Sequence, residues 1–65
     1  MCESTAYLVR DDGEEKLMEY VVDICPNADG SLKLTDLLGD EMDVAGTLRE
    51  VKLLAHKILI TPAVA

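Results

Sequence analysis

Thr47-Leu48-Arg49-Glu50-Val51-Lys52-Leu53-Leu54-Ala55-His56-Lys57-Ile58-Leu59-Ile60 is the stretch in which two local readings collide. Thr47-Leu48-Arg49-Glu50 matches a capping box at a helix start. Leu48, Val51, Leu54, Ala55 and Ile58 recur at helical spacing, and Leu, Arg, Glu, Lys and Ala are good helix formers. Yet Glu50-Val51-Lys52-Leu53 and Lys57-Ile58-Leu59-Ile60 also read as two short strands around a turn at Ala55-His56. Local rules lean toward the helix by a narrow margin. On this choice hangs whether the protein is a few strands plus a lone helix or all β.

Upstream of that stretch the chain reads as strands. Residues 2–10 alternate, with Glu3, Thr5, Tyr7 and Val9 on one side and Cys2, Ser4, Ala6 and Leu8 on the other. Asp11-Asp12-Gly13 is a turn signal between two apolar runs. Residues 16–24 place Met18, Tyr20, Val22 and Ile24 on one side and Leu17, Glu19, Val21 and Asp23 on the other, so residues 2–24 form a β-hairpin. Cys25-Pro26-Asn27-Ala28-Asp29-Gly30 ends the second strand, since Pro26 cannot donate to a ladder. Residues 31–38 alternate again, with Leu32, Leu34 and Asp36 sharing a face. Gly39-Asp40-Glu41 is a third turn, residues 42–46 are a short, ambiguous element that reads best as another strand, and residues 61–65 a frayed tail.

Size limits what such strands can bury. The 65 residues are expected to form a single domain, 1–65. A chain this small removes only about 60 % of its unfolded surface from water. The composition is 49 % apolar but holds no Phe and no Trp, so Leu, Val, Ile, Met and Ala must build the core. Net stability of such a core is no more than about 3–5 kcal/mol, and small chains commonly add a metal, disulfides or a second subunit. A homodimer is the expectation from burial alone. The absence of a basic region followed by an apolar stretch argues against a signal peptide, and no run reaches a membrane span. The expected compartment is therefore the cytoplasm, with Cys2 and Cys25 as thiols.

Charge excludes one large class of partner. The formal charge is −7, from 13 acids against 6 bases, and Arg10, Lys16, Lys33, Arg49, Lys52 and Lys57 are scattered. Nucleic-acid binding is driven by clustered bases neutralising phosphates, so a nucleic-acid-binding barrel is the disfavoured alternative. Catalysis finds no support either. His56 has no placed nucleophile, and no Gly-x-Ser-x-Gly or phosphate-cradling loop occurs. Asp11, Asp12, Glu14 and Glu15 read as a solvated hairpin tip.

The residue with unusual chemistry is Cys2. Removal of Met1 would leave it with a free α-amine beside its thiol, and these close a five-membered chelate on a metal ion. With Met1 kept, the deprotonated amide of Cys2 could serve as the nitrogen donor. A flat nitrogen-and-sulfur site suits Ni(II) or Cu(II). One Cys2 supplies at most two donors, but a two-fold dimer supplies four, enough for planar Ni(II). A cysteine placed there by accident is the competing reading. No CxxC, HxxxH or EF-hand pattern is present, so a metal site within one chain is not expected. Cys25, before Pro26 at the end of an apolar strand, is expected to be a buried, inert thiol. His56 is expected in an exposed turn or helix, and Glu3 faces away from Cys2 in a strand.

Met1-Cys2-Glu3, Ala6-Tyr7-Leu8-Val9, Val21-Val22-Asp23-Ile24 and Gly30-Ser31-Leu32-Lys33-Leu34 form one series of short segments, continued by Asp36-Leu37-Leu38-Gly39-Asp40-Glu41, Val44-Ala45-Gly46 and Glu50-Val51-Lys52-Leu53-Leu54. Together they resemble the CooT family of small nickel-binding proteins. Similar sequences also carry the label of predicted RNA-binding proteins. The resemblance implies an all-β, SH3-like barrel of about six short antiparallel strands that dimerises, with Cys2 of each subunit as nickel ligand. It implies a role in nickel supply to carbon monoxide dehydrogenase, and no role for Cys25 or His56. It also implies that residues 49–54 and 57–60 are strands, so that tertiary pairing overrides the local helix preference in an edge-free barrel.

Overall fold

The structure, a computed structural model, describes residues 4–63. Six strands follow one another: β1 (Ser4–Arg10), β2 (Gly13–Pro26), β3 (Leu32–Asp36), β4 (Glu41–Val44), β5 (Gly46–Lys52) and β6 (Lys57–Pro62). They form one sheet in the order β4-β3-β2-β1-β6-β5, curled into a half-barrel. Neighbours are antiparallel except β1 and β6, which run parallel from Thr5 beside Lys57 to Leu8 beside Ile60. The all-β expectation holds, with one parallel pair inside it.

The contested stretch is strand, turn, strand. β5 and β6 pair from Gly46 opposite Pro62 to Lys52 opposite Lys57, around a turn at residues 53–56. Backbone pairing explains why the capping box loses. Without β6, the outer edge of β1 would carry unpaired N–H and C=O groups beside the core. Ile58-Leu59-Ile60 fills that slot, and all three residues are buried. The helical stripe was illusory as a core face, because Leu48, Val51 and Leu54 are exposed while Ile58 is buried. β6 also runs through Thr61 and Pro62, where a frayed tail was expected.

β2 departs most from simple alternation. Its 14 residues would span about 45 Å if straight, beyond the 32 Å longest axis of the molecule. Register shifts against β1 lie between Ser4 and Tyr7, and another against β3 lies between Val21 and Asp23. Extra residues therefore accumulate on β2, and Tyr20 takes the left-handed conformation (φ 55°). These bulges bend the strand. They also invalidate the expected faces: Val21 is buried, Tyr20 and Val22 are exposed, and Leu17 and Met18 are both half-buried. Past Val21 no described residue of β1 lies alongside β2, so Pro26 can pair with Leu32 without an N–H being required on its other flank. The strand thus continues through Cys25 and Pro26 instead of ending before them.

The core is aliphatic: Ala6, Leu8, Val21, Leu32, Leu34, Val44, Ile58 and Ile60, with Leu17, Met18 and Ile24 packed against it. The expected inward faces of β1 (Ala6, Leu8) and β3 (Leu32, Leu34) are the observed ones. Edge-free closure is not reached, since β4 and β5 are the outer strands of the sheet. Only Ala45 separates them, and a chain turning that sharply cannot pair the two strands along their length. Ala63 N–H donates to the Ala45 carbonyl at 2.9 Å and holds this corner against the end of β6. The edges are blunted by the shortness of β4, by Glu41, Asp43, Arg49, Glu50 and Lys52, and by a bulge at Arg49.

Candidate metal centre

Cys2, the residue singled out for metal chemistry, lies outside the described residues together with Met1 and Glu3. The described chain begins at Ser4, and that point is fixed from both sides. Ser4 pairs with Val21 of β2. Thr5 N–H donates to the His56 carbonyl at 2.9 Å, in the β5–β6 turn. Val21 in turn pairs with Asp36, the last residue of β3. A single row across the sheet therefore joins Asp36, Val21, Ser4 and the turn before Lys57.

Two turns rise at this row. In the β3–β4 turn, Asp36 Oδ1 accepts the N–H groups of Leu38 and Asp40 at 2.9 Å each. Asp36 N–H donates to the Asp40 carbonyl at 2.9 Å, and Leu37 N–H to the Tyr20 carbonyl at 2.9 Å. The turn therefore occupies residues 37–40, slightly earlier than its expected place at Gly39-Asp40-Glu41. In the β5–β6 turn, His56 N–H donates to the Leu53 carbonyl at 3.3 Å, and His56 sits at φ 55°. Both turns carry exposed leucines: Leu37 at 66 %, Leu38 at 87 %, Leu53 at 78 % and Leu54 at 101 %. These leucines were missed as surface features because each run reads as ordinary core. Their adjacency to turn residues was the available signal.

The other candidate ligands are placed plainly. Cys25 is exposed, not buried. The β2 bulges turn Ile24 toward the core and leave its neighbour on the outer surface, where Cys25 Sγ lies 3.8 Å from the Pro26 carbonyl oxygen. His56 is in an exposed turn, as expected. Among the described residues no group of three or more His, Cys, Asp or Glu is arranged to hold a metal ion.

The acidic hairpin tip sits at the opposite end of β1 and is solvated as expected. Glu15 Oε1 accepts from Arg10 Nε at 3.1 Å, and Glu14 Oε1 from Lys57 Nζ at 3.1 Å. Lys57 Nζ also lies 5.0 Å above the Tyr7 ring. Near this tip Val9, Arg10, Asp11, Asp12, Arg49, Thr61 and Pro62 line an open cleft of about 600 Å³. Its two guanidiniums face two carboxylates, so it has no single-sign field for a charged ligand. Elsewhere, hydrogen bonds from Ser31 hold the exposed Asp29 carboxyl below its ordinary range.

Residues 1–61 match the family model described as CO dehydrogenase accessory protein CooT. The chain belongs to the CooT family. The fold is similar to a crystal structure assigned as a CooT from Carboxydothermus hydrogenoformans. The TM-score is 0.85 at 30 % identity, over 94 % of this chain and 97 % of that one. No curated protein gives a match. The family match spans Cys2 and reaches all six strands of the half-barrel, ending one residue before the end of β6.

Proposed function

We propose that this CooT-family protein is a nickel-binding accessory factor for carbon monoxide dehydrogenase maturation. Two chains form a homodimer and hold one Ni(II) between their Cys2 residues, as a carrier, store or sensor in the cytoplasm. The observation that supports this most is a coincidence of two facts. The family match begins at residue 1 and so includes Cys2, and the strand that starts at Ser4 is fixed in place by Val21 and His56. The strand next to the candidate ligand is therefore a fixed part of the sheet.

Each Cys2 contributes a thiolate and a nitrogen, and two of them satisfy a planar Ni(II). With no cluster of three ligating side chains among the described residues, a second copy is the economical source of the remaining donors. The metal is cargo here. The protein's work is to present two thiolates and leave the ion reachable from solvent.

Titrating Ni(II) into the reduced protein should give a thiolate-to-metal absorption band saturating at about half an equivalent per chain. Cys2→Ser should abolish it. Cys25→Ser should keep it, a control that matters because Cys25 is itself exposed. Binding displaces thiol protons, so below the ordinary thiol range, near pH 8.5, affinity should fall by about tenfold per pH unit for each proton released. A band that survives Cys2→Ser ends this reading.

A further inference from the structure

We infer that His56 supplies a further nitrogen donor to the Ni(II) held by Cys2. The inference rests on the nickel reading and deepens it, because it adds a side chain of the half-barrel to that site. Cys2 precedes Ser4 by two residues, and two residues of chain reach no further than about 7 Å. The start of β1 runs past the β5–β6 turn. Thr5 N–H donates to the His56 carbonyl at 2.9 Å, and Thr5 is level with Lys57 in the parallel β1–β6 pair.

The backbone at His56 points to a use for its side chain. Its φ is 55°, in the left-handed region, where a side chain costs energy and glycine does not. The three preceding turns place Gly13, Gly30 and Gly39 at positive φ. Tyr20, the other non-glycine residue at positive φ among the described residues, sits within the irregular register of β2 against β1. The β5–β6 turn instead keeps a histidine where glycine would close it with less strain, and strain of this kind collects at functional positions. The imidazole is exposed, and it makes no hydrogen bond among the described residues.

Donor chemistry selects the same residue. Imidazole nitrogen suits Ni(II), whereas carboxylate oxygens suit harder ions. His56 is the one histidine of the chain, and residues 51–57 hold no carboxylate and no thiol. Lys52 and Lys57 are engaged with Glu50 at 3.2 Å and Glu14 at 3.1 Å. At the far end of the row through Val21 and Ser4, Asp36 Oδ1 already accepts the N–H groups of Leu38 and Asp40. Among the described residues no group of three ligating side chains forms, so His56 acts only in company with Cys2. In a site shared by two chains, each chain adds one imidazole.

Nickel titration of the full, reduced chain near neutral pH tests this, followed by the thiolate-to-metal band and by the NMR resonances of the imidazole. His56→Gly is the central variant, because glycine adopts a φ of 55° without strain and the turn is kept. His56→Asn, which tolerates the same conformation, controls for added backbone freedom. Circular dichroism of both variants should match wild type. Both should bind Ni(II) about tenfold more weakly or worse, with the Cys2 band still reached at saturating metal. In wild type the imidazole resonances should respond in step with the band, complete at about half an equivalent per chain, and Cys2→Ser should abolish both signals. Wild-type affinity in His56→Gly and His56→Asn overturns the inference and leaves the nickel reading standing. An imidazole that responds only to excess metal, as any exposed histidine would, overturns it in the same way. If Cys2→Ser keeps wild-type nickel affinity, the nickel reading falls and the joint site falls with it.

Discussion

Gly46→Ala should be among the most damaging single-methyl changes in this protein. A Cβ built at Gly46 would stand 2.5 Å from the Thr61 carbonyl oxygen, 2.9 Å from Ile60 Cγ2 and 3.3 Å from the Thr61 carbonyl carbon. Two of those three atoms are backbone of β6, itself locked by pairing with β5 and β1. The third belongs to Ile60, which is fully buried. Nothing near the new methyl is the free end of a flexible side chain, so relief requires the β4–β5 corner to move away from β6. Overpacking of this kind costs about 1–3 kcal/mol, and the immobile neighbours put Gly46→Ala near the top of that range. Against a total of about 3–5 kcal/mol, most of the stability would go. Urea unfolding at fixed protein concentration should show the midpoint falling by about 2–3 M, for a slope near 1 kcal/mol/M. Gly39→Ala is the internal comparison: nothing lies within 4 Å of its Cβ, and the cost there is the φ of +90° alone, about 1–2 kcal/mol. Should Gly46→Ala cost less than Gly39→Ala, the tight corner at Ala45 is not a constraint on the fold and the reasoning fails.

Two further outcomes follow from the structure. Leu34 is fully buried in the middle of the core, so Leu34→Ala should cost about 2–5 kcal/mol and leave the chain largely unfolded by circular dichroism at 37 °C. Asp29 has its carboxyl pKa lowered from 3.8 by Ser31. Its contribution to stability is therefore present above the unfolded value and is lost as pH falls through the lower, folded value. Carbon-detected NMR should place its titration below 3.8, and Ser31→Ala should move it back up; an unchanged midpoint would show that the hydrogen bonds at Asp29 do not set it.

How far the sequence reached can be judged strand by strand. Where a strand is straight and half-buried, alternation was enough: Ala6 and Leu8 of β1 and Leu32 and Leu34 of β3 point inward as their spacing requires. β2 defeated the same rule, because each inserted residue flips the face of everything after it. The exposed Cys25 and the buried Val21 are both consequences of that flip. Residues 47–60 defeated it for a different reason. Helix propensity is a local quantity, whereas the need of β1 for a partner on its outer edge appears only once the sheet exists. The likeness of the whole chain to CooT proteins anticipated this outcome where the segment itself did not.

The sequence by itself determined that the core is aliphatic and that the chain is strongly acidic, since these depend only on which side chains are present. Turn signals at Asp11-Asp12-Gly13 and around Gly39 likewise need no partner to be read. Tertiary structure alone decided that the stretch from Thr47 to Ile60 is two strands, that β1 and β6 run parallel, and that two leucine turns stand beside the start of β1. Each of those depends on hydrogen-bond partners and burial supplied by residues far away along the chain, and local spacing carries no record of them.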